Sequence, residues 1–343
     1  MRKVKQMNTP NTKTIDVIGI GSPLMDFLVQ ADDKNLIEWD LRKGEMHLVN
    51  KEKAELLLHK LHESNVTIEH CPGGSVANTM RAIGLLGGKV ILCGKVGNDE
   101  HANLYIEAMN AHHVHPKLHR HNAVTGHALT FITPDSQRTF SVHLGAAIEI
   151  EPSDLEEQDI AQSKILHLEA YQVEGKTRDV MLEAIRFAKK HNTLISLDLA
   201  DPGLIRRNKD FLHHLLKEYI DIVFANETEA KEFTDKDDVH ALTDLAKLCS
   251  TAIVKIGPDG SLIAHEGEVI MAPAFHAKPV DTTGAGDTYA AGFLYGITHD
   301  WPLQKAAALG SLMAARIVEQ KGVRLDRIDV TKLRTQIEDM EII

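Results

Sequence analysis

Cysteine is scarce: Cys71, Cys93 and Cys249 are the only three in 343 residues, and no two form a C-x-x-C pair. That excludes a disulfide framework or a zinc ribbon and fits a reducing compartment, the cytoplasm. Long apolar runs are missing too, since none approaches the ~20 residues of a membrane-spanning helix. Residues 1–14 carry Arg2, Lys3 and Lys5 with no apolar stretch behind them, so they read as a polar, flexible leader and not a signal peptide. Positive charge is in deficit. Lys and Arg number 38 against 49 Asp and Glu, and the net charge of −11 argues against a nucleic-acid partner. Two nucleotide motifs are absent. There is no G-x-x-x-x-G-K-[ST], and Gly19-Ile-Gly21-Ser-Pro-Leu fails the dinucleotide fingerprint at its third glycine.

What is present has the texture of an α/β protein. Ile15–Ile20 is a short β-branched run stopped by Gly21, a buried strand. Residues 26–50 are irregular, with strand-like fragments at 27–29 and 46–49, and 51–64 have helical spacing. A small-residue helix opens after Gly73-Gly74, followed by a strand at 90–93 and a helix at 100–111. Residues 127–132 and 138–142 flank the polar Pro134-Asp135-Ser136 and read as a hairpin. Beyond Pro152, strands at 164–168, 194–199, 221–224 and 251–256 alternate with helices. That spacing implies a mostly parallel sheet covered on both faces. The expectation is one α/β domain over 15–330 with a small β lid from about 24–50 and 122–147, and a C-terminal tail at 331–343.

Two glycine-rich stretches carry the chemistry. Asp281-Thr-Thr-Gly-Ala-Gly-Asp287 runs straight into the helical Thr288-Tyr-Ala-Ala-Gly-Phe. Glycines before a helix let the backbone bend so that unpaired amides and the positive dipole end face outward, a nest for phosphoryl charge. Asp287 at that entrance is either a helix cap or a general base for an attacking hydroxyl. Cys71-Pro-Gly-Gly-Ser-Val-Ala-Asn78 is the second stretch. Its glycines allow close approach of a polyhydroxylated ligand, and Asn78 offers both donor and acceptor, though small residues at a helix start also serve packing.

In this order and separation, the two stretches resemble the paired motifs of the ribokinase-like (pfkB) carbohydrate kinases, over about residues 15–325. The resemblance implies a three-layer α/β/α sandwich and an ATP- and Mg²⁺-dependent kinase acting on a small molecule. It places the base at Asp287 and an anion hole at Gly284, Ala285 and Gly286. Substrate hydroxyls would lie against Asp26, Ser22, Gly73, Gly74 and Asn78. Asn226-Glu-Thr-Glu229 resembles the N-x-x-E motif, with Glu229 and Asn226 acting on Mg²⁺ through waters. Lys255-Ile-Gly257-Pro-Asp-Gly260 resembles the nucleotide turn, with lysine where threonine or serine is common. Ala314 and Gly322 match the adenine-side stretch, and Asp281 and Thr283 a monovalent-cation (K⁺) site. Arg138 matches an arginine that swings onto the phosphates as the lid closes.

Ser22-Pro-Leu-Met-Asp26 and the hairpin lean toward the nucleoside kinases, adenosine first, and Tyr171 is a candidate for stacking on a base. A sugar or sugar-phosphate acceptor, or a non-enzymatic sensor on the same scaffold, are the alternatives. The lid would either cover one site in a monomer or pair two protomers. His112, His113, His115, His119 and His121 crowd one segment with no other ligand at metal spacing, so a solvated loop is expected there.

Overall fold

The computed structural model describes residues 13–63, 68–135 and 137–338. The expected leader therefore lies almost wholly outside the described residues, as do Ser64 and Ser136. In chain order the strands are β1 (Ile15–Ile20), β2 (Leu24–Gln30), β3 (Met46–Leu48), β4 (Ile68–Gly73), β5 (Val90–Gly97), β6 (Val114–His121) and β7 (Gly126–Ile132). They continue as β8 (Arg138–His143), β9 (Ser163–Glu169), β10 (Leu194–Asp198), β11 (Ile222–Asn226), β12 (Thr251–Lys255), β13 (Ser261–His265) and β14 (Glu268–Ala272).

Nine strands form one sheet in the order β14-β13-β12-β11-β10-β9-β1-β5-β6, parallel from β12 to β6 and antiparallel at β13 and β14. Its inner strands, β1, β5 and β9 to β12, are largely buried because helices cover both faces. Val17, Ile165 and Phe224 point to one core, with the helices Ser75–Leu85, Ala285–Thr298 and Leu303–Ile317. Ile18, Leu166 and Val223 point to the other, with Thr177–Lys190 and Pro202–Glu218. That is the expected three-layer sandwich. Parallel strands all end on the same side, and their carboxyl ends are where such sheets bind ligands.

The lid is a second sheet, β3-β8-β7-β2-β4. β7 and β8 are the expected antiparallel hairpin, while β2 runs parallel to β7 and antiparallel to β4. Three segments differ from expectation. The histidine-rich stretch is not a loop: Val114–His121 pairs in parallel with β5 as the edge of the main sheet. β4 was not anticipated, because Ile-Glu-His-Cys-Pro-Gly alternates poorly; its alternate residues are held by β2. Val330–Glu338 is a helix where a tail was expected, with Leu333 and Ile337 buried and Arg334 donating to Leu86 O (3.0 Å). Among the described residues no helix is long and apolar enough to cross a membrane, and Cys71, Cys93 and Cys249 are buried and free.

Candidate active site

The site forms where the mouth of the Ala285–Thr298 helix meets the start of the Ser75–Leu85 helix. Gly284 caps the first with a left-handed backbone (φ +77°) and no side-chain cap, and a Cβ there would stand 2.6 Å from Val323 Cγ2. Only glycine fits. The turn uses the Ala285 amide, which donates to Thr282 O (3.2 Å). The expected anion hole is thus narrower than three amides: Gly286 and Asp287 in the first turn supply donors without helical partners, and Ala285 does not.

Asp287 follows directly, and its carboxylate is held by the other helix. Ser75 Oγ donates to Oδ1 and Asn78 Nδ2 to Oδ2, both at 2.9 Å, while Thr79 Oγ1 donates to the Asp287 carbonyl (3.2 Å). A plain N-terminal cap would bond its own helix; this side chain is turned across to another element. Burial pushes its pKa up to about 6, against the two side-chain donors that pull it down.

The substrate-side residues lie on the lid face of this junction. Gly74 has φ +93°, and a Cβ on it would overlap Ser22 O. One on Gly73 would overlap the Asp26 carboxylate. Glycine at 73 therefore lets Asp26 lie flat against the chain that leads to Asn78. Burial raises the Asp26 pKa to about 7, moderated by Arg81 and Arg138. Arg81, almost fully buried, donates to Pro72 O (3.0 Å) and contacts Asn78 Oδ1 (3.5 Å).

On the other side of Asp287 opens a cavity of about 810 Å³. Its wall includes Asn226, Glu229, Lys255, Gly257, Gly260 and Ala314, all six expected near a nucleotide, together with Ala285, Gly286 and Asp287. Asn226 and Glu229 close a reciprocal capping box. Asn226 accepts from Glu229 N (2.9 Å), and Glu229 accepts from Asn226 N (2.8 Å) and Nδ2 (2.7 Å). Glu229 is 4% exposed, and burial with the neighbouring Asp198 raises its pKa to about 7. Among the described residues no group of three or more His, Cys, Asp or Glu could cage a metal. Acidic side chains facing a roomy cavity, Asp198 and Glu229 among them, do suit a hard cation that keeps most of its waters.

Arg138, Asp281, Thr283, Gly322 and Tyr171 are placed otherwise than expected. Arg138 is not a free hairpin arginine: its guanidinium pairs with Asp281 and donates to Thr283 Oγ1 (2.9 Å). Asp281 also accepts from Thr283 N (3.0 Å) and Gly322 N (2.6 Å). The candidate monovalent-cation pair thus already holds a cationic group, and Gly322 serves that cluster and is not on the cavity wall. Tyr171, 39% exposed, lines the cavity beside Asp198 and Asn226, whereas Asp26 and Gly73 do not.

Ser75, Asp198, Arg81 and Glu169 were not singled out from sequence. Asp198 and Glu169 end β10 and β9, so an acidic residue at a parallel strand's carboxyl end was the available signal. Glu169 is 2% exposed, and burial, with Asp287 adding to it, raises its pKa to about 7.

Residues 45–329 match the family described as pfkB family carbohydrate kinase. The chain is 33% identical to an adenosine kinase from Sinorhizobium meliloti, covering 94% of this chain and 99% of that one with a TM-score of 0.85. It is 30% identical to a probable sugar kinase from Rhizobium etli, covering 95% and 99% with a TM-score of 0.86. A 5-dehydro-2-deoxygluconokinase from Geobacillus kaustophilus is 26% identical over 277 residues, 76% of this chain and 83% of that protein.

Proposed function

The chain belongs to the pfkB family of carbohydrate kinases, and from that premise we propose that it transfers the terminal phosphoryl group of ATP to a hydroxyl of a nucleoside, adenosine first, with Asp287 as general base. The observation that carries this reading is one carboxylate, fixed from both oxygens by Ser75 and Asn78, on the wall of a cavity roomy enough for a nucleotide.

The roles follow from the chemistry of each group. With a pKa near 6, Asp287 is ionised at neutral pH yet basic enough to take the hydroxyl proton as the new bond forms. Ser75 and Asn78 keep it aimed, so no reorganisation is needed at the moment of transfer. The Gly286 amide and the helix dipole face the phosphoryl charge. Magnesium, arriving with ATP, would neutralise phosphate charge while Asp198 and Glu229 hold it through waters. Asp26, lying against Gly73, is suited to a pair of neighbouring hydroxyls. Arg138 ties the lid to the Asp281–Thr283 turn and so keeps water from the junction.

Support for a nucleoside comes from the Ser22–Asp26 loop, the lid hairpin and the 33% identity to an adenosine kinase. A sugar acceptor is the second reading. The 30% identity to a probable sugar kinase favours it, and Asp26 would bind vicinal hydroxyls of a free sugar as well as those of a ribosyl group. An ADP-release screen of nucleosides against ribose, fructose and phosphorylated sugars separates the two. Saturable turnover with adenosine is expected; turnover with sugars alone overturns the nucleoside reading.

A further inference from the structure

Lys255 ends β12 one strand away from β11, which lies between it and β10, and its side chain crosses to Asp198 at the end of β10. Nζ and Oδ2 are 2.9 Å apart, and the two side chains are 14% and 8% exposed. Both line the cavity with Glu229, Gly286 and Asp287. A Cβ on Gly286 would stand 3.0 Å from Nζ, so the ammonium reaches the helix mouth because residue 286 has no side chain. Burial pulls the Lys255 pKa down, but Asp198 and Glu229 outweigh it, and the group stays protonated. A lysine ammonium has three donors, and the Asp198 bond uses one.

A phosphate entering this cavity meets the carboxyl groups of Asp198, Glu227, Glu229 and Asp287, and among the described residues of its wall the one ammonium or guanidinium is that of Lys255. As a purely structural device the Lys255–Asp198 pair would be a poor choice, because burying two charges costs about as much as their attraction returns. We propose that Lys255 is a catalytic residue whose ammonium swings partly off Asp198 to bind the transferring phosphoryl group beside the Gly286 amide. The inference rests on the kinase reading. In the step, the bond from acceptor oxygen to phosphorus forms and the bond from phosphorus to the ADP oxygen breaks. The acceptor proton passes to Asp287, and Lys255 keeps all its protons, contributing charge and hydrogen bonds where negative charge spreads.

The test is steady-state kinetics of Lys255→Met, Lys255→Gln and Lys255→Arg beside the wild type, with melting temperatures. Methionine should lower kcat by about 10²- to 10³-fold, the cost of losing one donor aimed at transition-state charge. KM for the acceptor should stay within a few-fold, and arginine should recover part of the rate. The acid limb of the kcat–pH profile should move to higher pH, because Asp287 loses a neighbouring cation. Glutamine preserves a hydrogen bond to Asp198 without the charge, and should show the same loss if methionine compromises folding. A folded methionine or glutamine variant with wild-type kcat and pH profile overturns the role of Lys255 and leaves the kinase reading intact. A wild type that forms no ADP with any nucleoside or sugar overturns both.

Discussion

In the nine-stranded sheet, the inner parallel strands are buried on both faces and deliver their polar and charged ends, Asp198, Asn226 and Lys255, to one rim. In the five-stranded lid the two faces divide the work. The register sets Asp26 and Arg138 on the face toward the site, and Phe27 and His127 on the other, packed side. The frame therefore holds charge at fixed strand ends, where backbone geometry leaves little freedom, and the lid presents single side chains from a half-solvated surface. On the proposed kinase reading, phosphoryl chemistry falls to the frame and acceptor recognition to the lid, with the Ser75–Asn78 turn of helix joining them at Asp287.

That division can be broken by substitution on each side. Asp287→Asn removes the proton acceptor and should lower kcat by about 10³-fold or more, leaving acceptor KM within a few-fold. Near-normal turnover would remove the base from the frame. Asp26→Ala strikes the lid and should show the reverse pattern. KM for the acceptor should rise by about 10- to 100-fold, the worth of a charged hydrogen bond, while kcat stays within about fivefold. An unchanged KM, or a loss confined to kcat, would dissolve the proposed separation.

Arg138→Ala tests the strap between the two sheets. Asp281 would lose the guanidinium but keep the amides of Thr283 and Gly322. A loss of about 1–3 kcal/mol in unfolding free energy follows from leaving that carboxylate under-partnered. A looser lid should also cost about tenfold in kcat, with more ATP hydrolysed per acceptor phosphorylated. ADP release measured with and without acceptor checks this; an unchanged ratio would show that the strap does not exclude water.

The frame was far more legible from sequence than the lid, for a physical reason. Buried parallel strands such as Ile15–Ile20 and Ile222–Asn226 announce themselves as apolar runs, and the glycines before Ala285 and Ser75 mark helix mouths by local backbone need. β4 and β6 carry no such mark. Ile68–Gly73 and Val114–His121 are polar edge strands set by their neighbours, so periodicity in their own residues is weak. In the site, the two glycine-rich stretches meet where Ser75 and Asn78 bond Asp287. Interactions made by side chains from distant segments were not readable: Ser75 on Asp287, Arg138 on Asp281, and Lys255 on Asp198. Tyr171 shows the limit of reading one residue type, since a ring suited to stacking sits with the nucleotide-side residues.

The smallest effect separates the two sheets by acid stability. His167, in the frame, is 1% exposed and bonded to Ser196 Oγ at 2.8 Å; His127, in the lid, is 5% exposed. His127 reaches only Thr125 O (3.3 Å), and among the described residues its Nε2 has no partner. Burial depresses both pKa values to about 4 from 6.5, with His143 and His101 adding to the effect on His127 and Asp99 opposing it. A depressed histidine pKa means that the unfolded chain takes up the proton first. Its stabilising contribution is therefore complete above pH 6.5 and is lost as pH falls toward 4. The slope is at most about 1.4 kcal/mol per pH unit for each histidine, so between pH 6.5 and 5 each removes about 1.5 kcal/mol. His127→Asn should leave kcat at pH 7.5 unchanged, because the side chain faces away from Asp26, and should flatten the fall in urea midpoint between pH 7.5 and 5. His167→Asn should flatten it too, but at the cost of the Ser196 bond and of stability at neutral pH. Equal acid slopes in wild type and His127→Asn would mean that the lid does not carry its share of the burden, and that the acid-labile part of the molecule is the frame.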